Sequence, residues 1–137
     1  MAFHPYLFFN GTCAEAFTRY EEIFGGELFM MKMGDAPTEE PVPAEQAELI
    51  IHAALKVGDG MLMASDDHSG ELGKIEGIQV SYSSADVGEV KRVFDALAEG
   101  GMVTQPLIET FFSPAFGMCV DRFGTPWMLS ADAAQPA

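Results

Sequence analysis

One order of elements is written into this chain twice, and that repetition limits its folds more than any other feature. Residues 3–9 are apolar and aromatic, with Pro5 near their start, and read as a strand; proline is tolerated at strand beginnings and edges. Asn10-Gly11 marks a turn. Thr12 followed by Glu15 has the form of a capping box, and Ala16, Phe17, Tyr20, Ile23 and Phe24 then recur at helical spacing. Gly25-Gly26 stops that helix, because glycine accepts the left-handed conformation beyond a last turn. Strands follow at 27–33, 48–57 and 61–65, the last two joined by the hairpin turn Gly58-Asp59-Gly60. The second round begins with a strand at 77–83. Asp86 and Glu89 then open a helix whose apolar stripe is Val87, Val90, Val93, Phe94 and Leu97. Gly100-Gly101 ends it, and strands follow at 104–109, 117–121 and 127–130.

Strand, capped helix, Gly-Gly stop and three strands, met twice, predict an α+β chain of two βαβββ modules, about 1–68 and 75–131, within a single domain spanning 1–137. The sheets are expected to be curved and mostly antiparallel. One helix covers one face of a four-stranded sheet, so the other face must pair with a second copy or enclose something. Two such sheets are therefore expected to enclose a cleft. Residues 34–46, rich in Pro, Glu and Ala, read as an exposed loop, either an insertion or a lid, and 66–76 as a polar linker.

Charge narrows the partners. Seven basic against 21 acidic residues leave a net charge of −14, which repels phosphate backbones and anionic lipid, so neither nucleic acid nor a membrane is expected as a partner. No apolar run approaches the ~20 residues of a membrane helix. The first ten residues have no basic stretch before their apolar run, unlike a signal peptide. Cys13 and Cys119 are far apart and in no metal-like spacing, so free thiols in a reducing, cytoplasmic setting are expected. Cys13 lies in the first turn of the first helix, where the dipole favours thiolate; Cys119 lies in an apolar strand and is expected to be inert.

Aromatic residues mark a candidate small-molecule pocket. Tyr6 and Phe8 share one face of the first strand by period two, and Phe111, Phe112, Phe116 and Trp127 come late in the chain. His52 alternates with Ile51 and Ala53, which places it on the opposite face from them as a pocket-wall residue, general base or ligand. His68, in Asp66-Asp67-His68, reads as exposed linker. Met30, Met31, Met33, Met61, Met63 and Met128 all fall in expected strands, where they either fill the core or line a permissive site.

The stretch from Ala96-Leu97-Ala98-Glu99-Gly100-Gly101 through Val103-Thr104-Gln105-Pro106-Leu107, Glu109-Thr110-Phe111-Phe112-Ser113-Pro114 and Phe116-Gly117-Met118 to Asp121-Arg122-Phe123-Gly124-Thr125-Pro126-Trp127-Met128-Leu129 resembles the PhnB-like branch of the glyoxalase/bleomycin-resistance/dioxygenase superfamily, the vicinal oxygen chelate proteins. Pro5-Tyr6-Leu7-Phe8-Phe9-Asn10-Gly11 and Phe24-Gly25-Gly26 resemble it too, so the likeness runs over nearly the whole chain. It implies the paired βαβββ fold and a homodimer, with the modules pairing within one chain or across the dimer. In the superfamily's enzymes, His, Gln and Glu from equivalent strands hold a divalent ion such as Zn, Fe, Mn, Ni or Mg. The matching positions here carry Pro5 beside His4, Met61 and Met63, Gln79, and Met128. The resemblance thus offers His4 and Gln79 as metal ligands in a site with Met, a soft ligand, at two of its positions.

Three functions are consistent with these residues. The first is a metal-independent binding protein for a small aromatic or apolar molecule, with a pocket of Tyr6, Phe8, His52, Gln79, Phe111, Phe112 and Trp127. The second is a divalent-metal lyase, isomerase or dioxygenase using His4 or His52 with Gln79 and Glu109. The third is a dimeric interaction module with no ligand of its own. A methyltransferase, the label that relatives of this branch often carry, is not expected: the chain has no Gly-rich strand-to-helix loop and no parallel-sheet pattern of the kind a nucleotide-like methyl donor needs.

Overall fold

Apolar residues at two periods, 2.0 in the strands and 3.6 in the helices, build each module around one covered sheet face. The structure, a computed structural model, describes residues 1–37 and 40–132. Its elements run β1 (Tyr6–Phe9), α1 (Cys13–Phe24), β2 (Glu27–Lys32), β3 (Ile50–Val57), β4 (Gly60–Asp66), β5 (Val80–Ser84), α2 (Val87–Ala98), β6 (Met102–Ile108), β7 (Phe116–Val120) and β8 (Pro126–Ala131). This is βαβββ twice, in two compact units, Met1–Gly73 and Lys74–Ala137.

The first unit holds an open sheet of order β1-β4-β3-β2, the second an open sheet of order β5-β8-β7-β6. Both sheets are mixed. In each unit the first strand lies parallel to the last, β1 on β4 and β5 on β8, and the other pairings are antiparallel. The helix is the crossover that carries the chain from one edge of the sheet to the other.

In the first unit, Ala16, Phe17, Tyr20 and Ile23 of α1 are buried together with Leu7, Phe9, Ala53, Leu55, Leu62 and Ala64. Phe17 meets Phe9 and Tyr20 edge-on. In the second unit, Val90, Val93, Phe94 and Leu97 of α2 are buried with Cys119, Trp127, Leu129 and Ala131. Val87 is 44% exposed and stands outside the apolar stripe expected for it, since it is the first residue of the helix.

The Gly-Gly stops have a second purpose beyond conformation. A Cβ on Gly26 would sit 2.1 Å from the carbonyl oxygen of Lys56, and one on Gly101 would sit 2.2 Å from that of Val120. Helix exit and strand backbone touch there in both units, and only hydrogen fits.

Two local expectations are corrected. Thr12 makes no side-chain cap; the first turn of α1 is held by Asp66 instead. Asp66 is not linker but the last residue of β4, 5% exposed, accepting hydrogen bonds from Cys13 N at 2.9 Å and Ile50 N at 2.8 Å. The described part of 34–46 is tied down at its ends, with Gly34 N–H donating to Ala47 O and Met33 N–H to Leu49 O, and it contains two 3₁₀ turns, Met33–Asp35 and Ala44–Gln46. The Asp86 cap, by contrast, forms as its spacing predicts, accepting from Gly88 N and Glu89 N.

Candidate functional site

Strand register assembles the site. On the face of the first sheet away from α1, Tyr6 pairs with Met63, Met63 with Ala54, and Ala54 with Phe29. That is one continuous row across all four strands. In the next row, Phe8 pairs with Ser65 and His52 with Met31. The two central strands present Ala54 and Ser65 together with Met63 and His52, while Tyr6, Phe8 and Phe29 stand on the two edge strands. The result is a shallow floor with aromatic rims. The rims are open: Tyr6 is 39%, Phe8 50% and Phe29 51% exposed.

His52 is half-buried in this face. Its ring centroid lies 6.0 Å from that of Tyr6 and 6.4 Å from that of Phe29, and Nδ1 is 3.4 Å from the Tyr6 hydroxyl. Tyr6 is also tilted against Phe8 at 5.2 Å. Tyr6, Phe8 and His52 are thus brought together. Phe29 joins them although sequence reading did not single it out. Its signal was present, since it alternates with Met31 in an expected strand, but placing it beside His52 required the register.

His4 is exposed, ahead of β1, and His68 is exposed after β4. In the second unit, Gln79 is half-buried one residue before β5, and Glu109 is exposed just past β6. Phe111 and Phe112 sit on the β6–β7 loop, Phe111 fully exposed, with Phe112 edge-on to both Phe111 and Phe116 at 5.1 Å. That loop is braced: Thr110 N–H donates to Ser113 O, and the buried Ser113 hydroxyl lies 2.6 Å from Ala131 O. Trp127 is 2% exposed on the α2 side of its sheet, its indole N–H donating to Asp121 Oδ2 at 2.8 Å, so it belongs to the core of the second unit.

The thiols are also settled by burial. Cys13 is fully buried, and desolvation, followed by the nearby Asp66 charge, pushes its pKa up to about 12. Both causes favour the neutral thiol, against the direction in which the helix position acts. Cys119 is raised to about 11 by burial first and Asp121 second.

Could these residues hold a divalent ion? Among the described residues, no three His, Cys, Asp or Glu side chains gather into a metal-holding group. Beside His52 the open face offers Tyr6, Met31 and Met63. The carboxylate sharing that face, Glu27, is four residues along β2 from Met31, ~13 Å away at strand rise, and pairs with Lys56. One imidazole among thioethers and a phenol does not fit a hard ion. On the open face of the second sheet, Met118 pairs with Met128 and Met128 with Ser81, a donor set equally poor in anionic oxygen.

Comparison with known proteins agrees with this architecture. The profile of a family described as 3-demethylubiquinone-9 3-methyltransferase matches residues 1–130. The chain is 32% identical over 145 residues to Protein YjdN of Escherichia coli (strain K12), covering 99% of each. It is 43% identical to protein PA1353 from Pseudomonas aeruginosa, with a TM-score of 0.88 over 96% of this chain and 98% of that one. A glyoxylase/bleomycin resistance protein/dioxygenase domain from Frankia sp. EAN1pec shares the fold at 15% identity, with a TM-score of 0.66 over 97% of this chain and 98% of that one.

Proposed function

Because the chain belongs to the family described as 3-demethylubiquinone-9 3-methyltransferase, in the PhnB-like branch of the glyoxalase/bleomycin-resistance/dioxygenase superfamily, we propose that it is a small-molecule-binding protein whose aromatic or apolar guest lies on the open face of the first sheet. The observation that carries this reading is the row Tyr6–Met63–Ala54–Phe29 with His52 beside it: a methionine and an alanine at the centre, exposed rings at the rims, one imidazole. Exposed contiguous apolar surface of this kind marks binding sites, and a few directed polar groups within it set orientation. Methionine adds a floor that adapts to different guest shapes.

The donors on this face, one imidazole, a phenol and two thioethers, do not suit a metal-dependent step. Methyl transfer, the activity in the family's description, lacks a donor site in the strand-to-helix connections. The connections from β1 to α1 and from β5 to α2 are short, Asn10-Gly11-Thr12 and Ala85-Asp86, with no glycine-rich cradle for a nucleotide-like donor. The same reading has the protein act in the cytoplasm as a homodimer, which light scattering would find at twice 14.8 kDa.

A thermal-shift panel of naphthalene-type compounds and divalent ions tests the proposal. A compound at one hundred times its Kd adds about 2.7 kcal/mol of stability, enough to raise Tm by several degrees. The double variant F8A/F29A should lose that shift. The reading is wrong if no aromatic compound raises Tm; stoichiometric uptake of Zn or Mn with activity restored by the ion would establish the metal-enzyme alternative in its place.

A further inference from the structure

Resting on the binding reading above, we infer that His52 presents an N–H donor to the guest and that the site therefore selects neutral aromatic molecules bearing a carbonyl oxygen. The geometry begins with Tyr6, whose hydroxyl lies 3.4 Å from His52 Nδ1. A phenol O–H is a better donor than acceptor, and a neutral imidazole carries one accepting and one donating nitrogen. With Nδ1 accepting from Tyr6, the proton of His52 sits on Nε2. Among the described residues, Nε2 has no hydrogen-bond partner. The imidazole is half-buried between the Tyr6 and Phe29 rings, so the N–H is fixed in direction within an apolar surround. A guest oxygen that accepts from it gains a directed bond; a hydrocarbon leaves it unmade.

Charge decides which oxygen. At a net charge of −14 the protein repels carboxylates and phosphates from its surface, which favours a neutral acceptor. Flat aromatic rims favour a flat ring system to carry it.

Two matched probes separate this inference from the reading beneath it: 2-acetylnaphthalene, a neutral ketone, and 2-ethylnaphthalene, its hydrocarbon counterpart. Calorimetric titration should show the ketone binding about five-fold more tightly to the wild-type protein, the range of one net hydrogen bond. His52→Phe should abolish the preference, and Tyr6→Phe should weaken it. Nitrogen-15 NMR of His52 in the unliganded protein should find Nε2 protonated and Nδ1 bare, which does not depend on any variant folding. Equal affinity of the two probes for wild type overturns the inference and leaves the binding reading standing. A preference that survives in His52→Phe, or a proton found on Nδ1, also overturns it. If neither probe binds, both proposals fall together.

Discussion

The carboxylate of Asp66 accepts a hydrogen bond from the backbone N–H of Cys13 at 2.9 Å, so the first turn of α1 is capped by the last residue of β4. Its second oxygen accepts from Ile50 N at 2.8 Å, joining β4 to the start of β3. At the matching strand end of the second unit stands Ala131, and α2 is capped from within its own segment by Asp86. The two modules share an architecture and solve the same problem of orphan helix N–H groups differently.

Asp66→Ala should therefore cost far more than Asp86→Ala. The first leaves two buried donors without partners, about 3 kcal/mol; the second removes an exposed cap, about 1 kcal/mol. Urea denaturation followed by far-ultraviolet circular dichroism ranks them, and equal losses would contradict a capping role for Asp66.

The second glycine of each stop should resist substitution. Gly26→Ala and Gly101→Ala each drive a methyl into a strand carbonyl, and Gly26 also has φ of +87°. Each is expected to lose about 2–4 kcal/mol, while Gly73→Ala, whose Cβ meets nothing, changes little. Thermal melts of the three variants provide the comparison.

The thiols make stability fall in alkali. Both Cys13 and Cys119 have pKa values above the ordinary 9.0, at about 12 and about 11, so the folded chain keeps protons that the unfolded chain releases above about pH 9. Their contribution is complete below pH 9 and is lost as pH climbs through 11 and 12, at no more than about 1.4 kcal/mol per pH unit for each. Denaturation midpoints at pH 8 and pH 10 should separate less in Cys13→Ala than in wild type. At pH 8 a thiol reagent should modify neither cysteine until denaturant is added.

Trp127 is the single tryptophan, and its indole N–H binds the buried Asp121 carboxylate. Trp127→Phe removes a charge-assisted bond and leaves a gap, at an expected cost of about 2–3 kcal/mol. The Asp121 carboxylate keeps its bonds from Phe123 N and Thr125 N, so the turn before β8 should persist. Wild-type emission should be blue-shifted by burial and move to red only on unfolding; an emission already at the water-exposed maximum would place the indole elsewhere.

What could be read before the structure was local. The helices, their glycine stops and the hairpin at Gly58 are announced by periodicity and by residues that act within a few positions. Gly58, with φ of +56°, is the first of the two loop residues, where a type II′ turn places glycine. The misreadings share one cause, namely a partner remote in sequence. Thr12 yields its capping role to Asp66, and Asp66, which reads as linker, closes β4; the burial that governs Cys13 is equally remote from its helix position. Alternation places Tyr6 and His52 on faces of their own strands, but it carries no register, so neither their contact nor the arrival of Phe29 beside them was legible. The parallel edge pairs escaped notice for the same reason, since a strand's pattern does not disclose its neighbour's direction.

The parallel seam between β1 and β4 has a consequence for synthesis. Tyr6 has no strand to lie against until Met63 has left the ribosome, and the first turn of α1 stays unclamped until Asp66 follows it. The opening half of the chain must therefore wait, loosely formed, for its own end, whereas α2 can wind as soon as Asp86 and the turn after it emerge.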